Sequence, residues 1–144
     1  MLSEDTLRLM GNLERAPTER RVRRIYDLWA HGDIEAMIEQ MSPDVKMATT
    51  GHWIGAAPPS QGRSAAAANL RKLGASLENI VSVLHEIVID GDRVVVHRTA
   101  VGRWRESGRR YQCDFIDFFR FRDALVTEFS QYPDSGWREA QSDH

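Results

Sequence analysis

The sequence predicts a single α+β domain, and three observations carry that expectation. Helical periodicity is confined to the first half of the chain. Four long strand runs, divided by tight-turn chemistry, fill the second half, so helices and strands are segregated rather than alternating. The length, 144 residues, is that of one domain, and a chain of about 150 residues buries roughly 70% of the surface its unfolded form exposes. Hydrophobic residues at 42% and charged residues at 28% exclude disorder along the whole chain.

Ser3 to Glu14 reads as a short helix with Leu7, Met10 and Leu13 on one side, weakened by Gly11 and ended by Pro17. Residues 1–17 are therefore expected to be an accessory segment ahead of a domain at 18–134. Val22, Ile25, Tyr26 and Trp29 then recur at amphipathic spacing, with Thr18 as N-cap and Gly32 as stop. Asp33 caps a second helix through Ile34, Met37, Ile38 and Met41, closed by Pro43. Val45–Thr50 and Trp53–Gly55 read as short strands, Pro58, Pro59 and Gly62 as a loop, and Ser64–Leu73 as a third helix ended by Gly74. Ile80–Ile89, Arg93–Arg105, Arg109–Arg122 and Leu125–Tyr132 are the long strands. Asp90-Gly91-Asp92, Ser107-Gly108 and Asp123-Ala124 turn between them, which predicts an antiparallel meander. Residues 135–144 read as a polar tail that Trp137 can pin.

Charge and composition exclude several function classes. Nineteen Lys and Arg against 21 Asp and Glu give a net charge of −2, which lacks the basic footprint of nucleic-acid binding. Arg103, Arg105, Arg109 and Arg110 read as a solvated hairpin tip. A lone cysteine, Cys113, builds neither a disulfide nor a cysteine zinc site, and no histidine partner at a suitable spacing makes it a nucleophile. The acidic N-terminus lacks the apolar run of a signal peptide, and no run approaches the roughly 18 apolar residues of a membrane helix, so a cytoplasmic protein is expected. No HExxH, phosphate-binding loop or dinucleotide fingerprint occurs.

Strand register brings polar residues together. With Ser107-Gly108 as a two-residue turn, Trp104 faces Tyr111, Gly102 faces Cys113, Ala100 faces Phe115 and Arg98 faces Asp117. Continued past Asp123-Ala124, the alternation places Ser130 beside Asp117, Glu128 beside Phe119 and Tyr132 beside Phe115. Val83, His85 and Ile87 join the same face. The opposite face then carries Val95, His97, Thr99, Ile116, Phe118 and Phe129, so His85 and His97 are separated and cannot share a metal. Both faces are apolar, yet three helices cover only one, which makes the other a candidate homodimer interface. Asp117, between Ile116 and Phe118 in an otherwise apolar strand, must be paired or shifted in pKa. It is either half of a structural ion pair with Arg98 or a general acid–base group in an apolar pocket. His85 is either a satisfied rim histidine or a second proton carrier.

Four stretches together extend the reading. VRRIYDLWAHGDIEAMIEQMSPDV (residues 22–45), QGRSAAAANL, GDRVVVHRTAVGRW and DFIDFFRFRDALVTEFSQYPD (residues 114–134) resemble, in order and spacing, the SnoaL-like and ketosteroid isomerase-like branch of the nuclear transport factor 2-like superfamily. The resemblance covers about residues 18–134. It implies a cone-shaped α+β barrel, with a curved, mostly antiparallel sheet wrapped around three helices and open at one end over a cavity for small apolar ligands. Its members include isomerases, polyketide cyclases, dehydratases and epoxide hydrolases, and others without known activity. The strand Ile116 to Phe121 is similar to the isomerase strand that carries a protonated aspartic acid donating to a developing oxyanion, and Asp117 falls on that position. Thr49 stands at the isomerase base position, Ile25 at its tyrosine position with Tyr26 adjacent, and Arg98-Thr99-Ala100 where the epoxide hydrolases carry Arg-x-Asp. An arginine beside Asp117 favours its ionised form, hence a base over a donor.

Two functions are therefore expected from different classes. One is a small-molecule enzyme of isomerase, cyclase or dehydratase type, with Asp117, Arg98 and His85 as catalytic groups and neither metal nor organic cofactor. Its small apolar or aromatic ligand would contact Trp29, Trp53, Trp104, Phe115, Phe119, Glu128, Ser130 and Tyr132. The other is a non-catalytic binding domain or dimeric interaction domain of the same fold.

Overall fold

The computed structural model describes residues 1–49 and 59–134. The expected strand Trp53–Gly55, Trp53 as a ligand contact, Pro58 and the tail 135–144 lie outside the described residues. The first helix, α1 (Glu4–Ala30), is capped by Ser3, whose hydroxyl accepts from the Thr6 amide at 3.1 Å. It runs through Pro17, where the sequence predicts a break. A proline in a helix interior costs about 3 kcal/mol. Here good helix formers flank it, and Val22, Ile25 and Tyr26 anchor the helix in the core.

Helix α2 (Ile34–Glu39) is capped by Asp33 as expected, but stops before Met41. Met41 starts β1 (Met41–Thr49) instead and pairs with Val126, whose amide donates to the Gln40 carbonyl. Pro43 thus lies inside a strand. After β2 (Ser60–Gln61), α3 (Arg63–Ser76) passes through Gly74, the expected stop. A Cβ at Gly74 would lie 2.9 Å from Ile34 Cδ1, so this glycine serves the close approach of α3 to α2. The long strands are β3 (Leu77–Asp90), β4 (Arg93–Trp104), β5 (Arg110–Arg122) and β6 (Leu125–Pro133). Among the described residues, no helix is long and apolar enough to cross a membrane.

The six strands form one curved sheet in the order β2-β1-β6-β5-β4-β3, all neighbours antiparallel except β1 and β6. The expected antiparallel meander is β3 to β6. Three local features decide which side chains share a face. The β4–β5 loop is four residues, Arg105–Gly108, closed by Trp104 and Arg109. Arg98 therefore pairs with Phe115, and Val96 with Asp117, so Arg98 and Asp117 stay on one face but meet diagonally. In β6 a bulge at Thr127 inserts one residue, and the Thr127 hydroxyl donates to the Arg120 carbonyl at 3.2 Å. Beyond it every side chain changes face: Phe129 and Gln131 turn inward, and Glu128, Ser130 and Tyr132 turn outward. In β3 a bulge sets His85 and Glu86 against His97, so Ser82 and Leu84 take the inner face while Val83 and His85 take the outer.

The helices pack on the inner face around Val22, Tyr26, Val94, Val96 and Phe119. A second cluster, toward the other end of β4 and β5, holds Ala100, Tyr111, Cys113 and Phe115. The outer face leaves Val81, Val83, Val88, Ile116 and Tyr132 exposed.

Within the second cluster a Cβ at Gly102 would fall 2.5–2.6 Å from the Tyr111 hydroxyl and ring, its cross-strand partner. Tyr111 is buried and cannot swing away freely. Gly102→Ala is expected to lose about 1–3 kcal/mol of stability through overpacking, read as a lower urea midpoint at unchanged m-value.

Candidate functional site

Three side chains from three elements converge beneath the helices. α1 presents Tyr26 on its buried face, one residue after Ile25. β4 and β5 present Arg98 and Asp117 on the inner sheet face. Tyr26 Oη donates to Asp117 Oδ2 at 2.5 Å, and Arg98 Nε donates to the same oxygen at 2.6 Å. Arg98 Nη1 also donates to Ser82 Oγ at 3.2 Å. The guanidinium lies over the rings of Phe115 and Tyr26, at 4.4 and 5.2 Å. Asp117 is 0% exposed and Arg98 5%, so a full charge pair is held out of water. Oδ1 of Asp117 has no hydrogen-bond partner among the described residues.

The electrostatics follow from that burial. The Tyr26 phenol is pushed well above 10, by loss of water first and by the Asp117 charge second, with Arg98 opposing. Burial works against the Arg98 charge, but Asp117 and Tyr26 more than offset it, and its pKa is raised. Tyr111 is pushed up to about 12, chiefly by burial.

A cavity of about 130 Å³ opens beside this triad. Its wall is mostly apolar, built from Trp29, Leu70, Leu73, Phe115, Phe119 and Phe129 among others. Tyr26, Arg98, Tyr111, Asn69, Gln40, Thr49 and Gln131 also line it, and Thr49 Oγ1 donates to Gln131 Oε1 at 3.4 Å. Asp117 does not line the cavity. It stands behind the wall, which Tyr26 and Arg98 form.

Of the residues singled out by sequence, Arg98, Trp29, Phe115 and Phe119 lie on the cavity wall and Asp117 directly behind it. The placement of the others is corrected. His85 points from the outer face, where its Nε2 meets Thr99 Oγ1 at 2.7 Å, because the β3 bulge turns it over. Glu128, Ser130 and Tyr132 are outside for the same reason in β6. Trp104 lies off the cavity and packs on Tyr111 with ring centres 5.9 Å apart. His85 and His97, expected on opposite faces, are neighbours with ring centres 4.9 Å apart. The group that sequence reasoning passed over is Tyr26. Its signal was a phenol on a buried helix face, which needs a partner for its hydroxyl. Gln131 and Phe129 had no such signal, because the bulge that admits them is silent in the sequence.

A family model described as SnoaL-like domain matches residues 22–129. No curated protein matches the sequence. Solved structures share the fold. A nuclear transport factor 2-like protein from Burkholderia xenovorans superposes with a TM-score of 0.69 at 23% identity, over 87% of this chain and 95% of that one. An LEH-like epoxide hydrolase from M. tuberculosis gives 0.69 at 18%, over 88% and 92%. A protein from Catenulispora acidiphila with a ketosteroid isomerase-like fold, in complex with trimethylamine, gives 0.67 at 18%, over 78% and 83%. At these identities the likeness is one of fold: a cone-shaped α+β barrel, with the curved sheet here left open between β2 and β3.

Two buried phenols set the alkaline behaviour. Tyr26 and Tyr111 hold their protons in the folded chain above the pH, about 10, at which an unfolded chain releases them. Their contribution is fully present below pH 10. Above it the unfolded state binds fewer protons, so stability must fall as pH rises. Urea midpoints from pH 9 upward should decline, toward and beyond about 12 for Tyr111. Tyr26→Phe should flatten that decline; an unchanged slope would remove Tyr26 as a buried proton holder.

Proposed function

The chain belongs to the SnoaL-like family, and from that premise we propose that its cavity takes a small apolar or aromatic molecule and moves a proton on it without a cofactor, as isomerases, cyclases and dehydratases do. One observation carries the reading. Two polar residues of a mostly apolar wall, Tyr26 and Arg98, share one oxygen of a fully buried carboxylate. At about 130 Å³ the cavity suits a single ring or a short chain, since an apolar space of roughly 150 Å³ accepts benzene.

The chemistry runs through Tyr26. Its phenol is too weak an acid for a free tyrosinate to be the base. A substrate C–H proton therefore passes to Tyr26 Oη as the phenol's own proton passes to Asp117 Oδ2. The C–H bond breaks, and its electron pair becomes an enolate whose oxygen is held by remaining Arg98 N–H groups. The reverse transfer delivers the proton to a different carbon and completes an isomerisation; for a ring closure the enolate carbon first bonds a second carbonyl carbon of the same molecule, whose C=O π pair moves to its oxygen, and that oxygen takes the proton. Asp117 is thus the proton store and Tyr26 the contact, which differs from an aspartate touching substrate.

A specific observation favours a second reading, binding without turnover: Asp117 Oδ2 already accepts two donors, and the carboxylate does not line the cavity. Proton exchange separates the two. Small cyclic ketones that raise the melting temperature are incubated with the protein in D2O, and α-hydrogen loss is followed by NMR. Wild type should accelerate exchange, and Tyr26→Phe should reduce it about 10²- to 10⁴-fold, the range of general acid–base catalysis, while the ligand-induced melting shift persists. Binding with no exchange, or exchange equal in wild type and variant, would leave the binding reading.

The exposed Val81, Val83, Val88, Ile116 and Tyr132 on the outer sheet face support a homodimer through that face. Sedimentation at micromolar concentration should give about twice the 16.4 kDa chain mass, and Val83→Lys with Ile116→Lys should give monomers. A monomeric wild type would exclude it.

A further inference from the structure

We propose that His85, His97 and Asp114 form a binding site for a divalent transition metal ion of the zinc class on the outer face of the sheet. Each offers one ligand atom, and these atoms lie within 4.8 Å of one another. They come from three adjacent strands: His85 from β3, His97 from β4 and Asp114 from β5. The ligand set comes from the irregularity in β3. In an unbroken alternation His85 would face the helices, and the bulge between Leu84 and Glu86 puts it beside His97 instead.

The arrangement is partly organised. Thr99 sits between the two strands that flank it and pairs with Val83 on one side and Asp114 on the other. Its hydroxyl donates to Asp114 Oδ1 at 2.6 Å. That uses its one proton, so the His85 Nε2 contact at 2.7 Å must be a donation from the ring to Thr99. A single hydroxyl thereby orients both the carboxylate and an imidazole, the kind of outer hydrogen bonding that tunes metal ligands. Asp114 Oδ2 is turned toward His97 Nε2 at 3.8 Å. Tetrahedral zinc with bonds near 2.0–2.1 Å needs ligand atoms roughly 3.4 Å apart. With Nε2 donating to Thr99, His85 would offer Nδ1, and ligand atoms now within 4.8 Å of one another would draw together by up to about 1.4 Å on binding.

Two imidazoles and one carboxylate suit zinc, nickel or cobalt, and not the all-oxygen preference of magnesium or calcium. Three ligands on one face leave at least one coordination position directed away from the sheet. This site is independent of the cavity, which lies on the other side of the same strands.

The test is titration of the purified full-length chain, free of any histidine tag, with Co2+ and then with competing Zn2+. One ion per chain is expected, with visible ligand-field bands for Co2+ that Zn2+ abolishes and a rise in melting temperature with Zn2+. His97→Ala and Asp114→Asn should each weaken Zn2+ by at least about tenfold, and Thr99→Val, a positioning change, by less. The pair His85→Ala with His97→Ala should abolish the site while leaving the circular dichroism and the melting temperature in chelator unchanged. No saturable binding at millimolar Zn2+ would overturn the proposal. So would wild-type stoichiometry and affinity in the double variant.

Discussion

The structure turns on one buried carboxylate. Asp117 sits in the centre of β5, without solvent, and an ionised carboxyl there is tolerable only with charge and hydrogen bonds supplied locally. Arg98 supplies the charge and Tyr26 a second donor, both to Oδ2. This couples three elements. Tyr26 ties α1 to β5, Arg98 ties β4 to β5 across the inner face, and Ser82 and Phe115 hold the guanidinium. Breaking such a pair by removing one partner costs about 3–5 kcal/mol, whereas replacing both by apolar residues of similar volume is often neutral or stabilising. Stability alone therefore does not account for a triad that presents a phenol and a guanidinium to a cavity.

The second constraint is the pleat. Because side chains alternate with period two, one inserted residue exchanges the faces of everything beyond it. The insertions at Thr127 and beside His85 reshape the inner and the outer face at once. The first exchanges an acid, a hydroxyl and a phenol for Phe129 and Gln131 on the cavity wall. The second removes an imidazole from the helix side and sets it against His97 and Asp114. Apolar character inside and ligand chemistry outside thus have one common cause.

The fold was legible because its signals are long and redundant. The amphipathic stripe through Val22, Ile25, Tyr26 and Trp29 and the strand runs after Ile80 each span many residues, and single errors average out. Helix ends were legible less often: Asp33 acts as its type suggests, but Pro17 and Gly74 lie within helices because tertiary packing outweighs local propensity. In the site, the pairing of Arg98 with Asp117 survived a loop two residues longer than expected, because a shift of two preserves the face. Glu128, Ser130, Tyr132 and His85 did not survive a shift of one. Nothing in the residues around Thr127 or His85 announces a bulge, so parity beyond each was beyond reach of the sequence.

The position of Asp117 behind the wall bears on how the cavity works. A carboxylate lining an apolar pocket would be hydrated whenever the pocket is empty and would lose that water on each binding event. Placed behind Tyr26 and Arg98, it pays its desolvation once, on folding, and its partners are already in place when a ligand arrives. A ligand of the proposed kind would meet a neutral phenol and a guanidinium whose charge Asp117 already balances. Both are compatible with an apolar molecule of modest polarity, and neither rewards a strongly charged one. The polar atoms of Asn69, Gln131 and Thr49, elsewhere on the wall, add hydrogen-bonding capacity without net charge. The selectivity expected of such a surface is for shape and for one well-placed oxygen, which is what proton transfer next to a carbonyl requires.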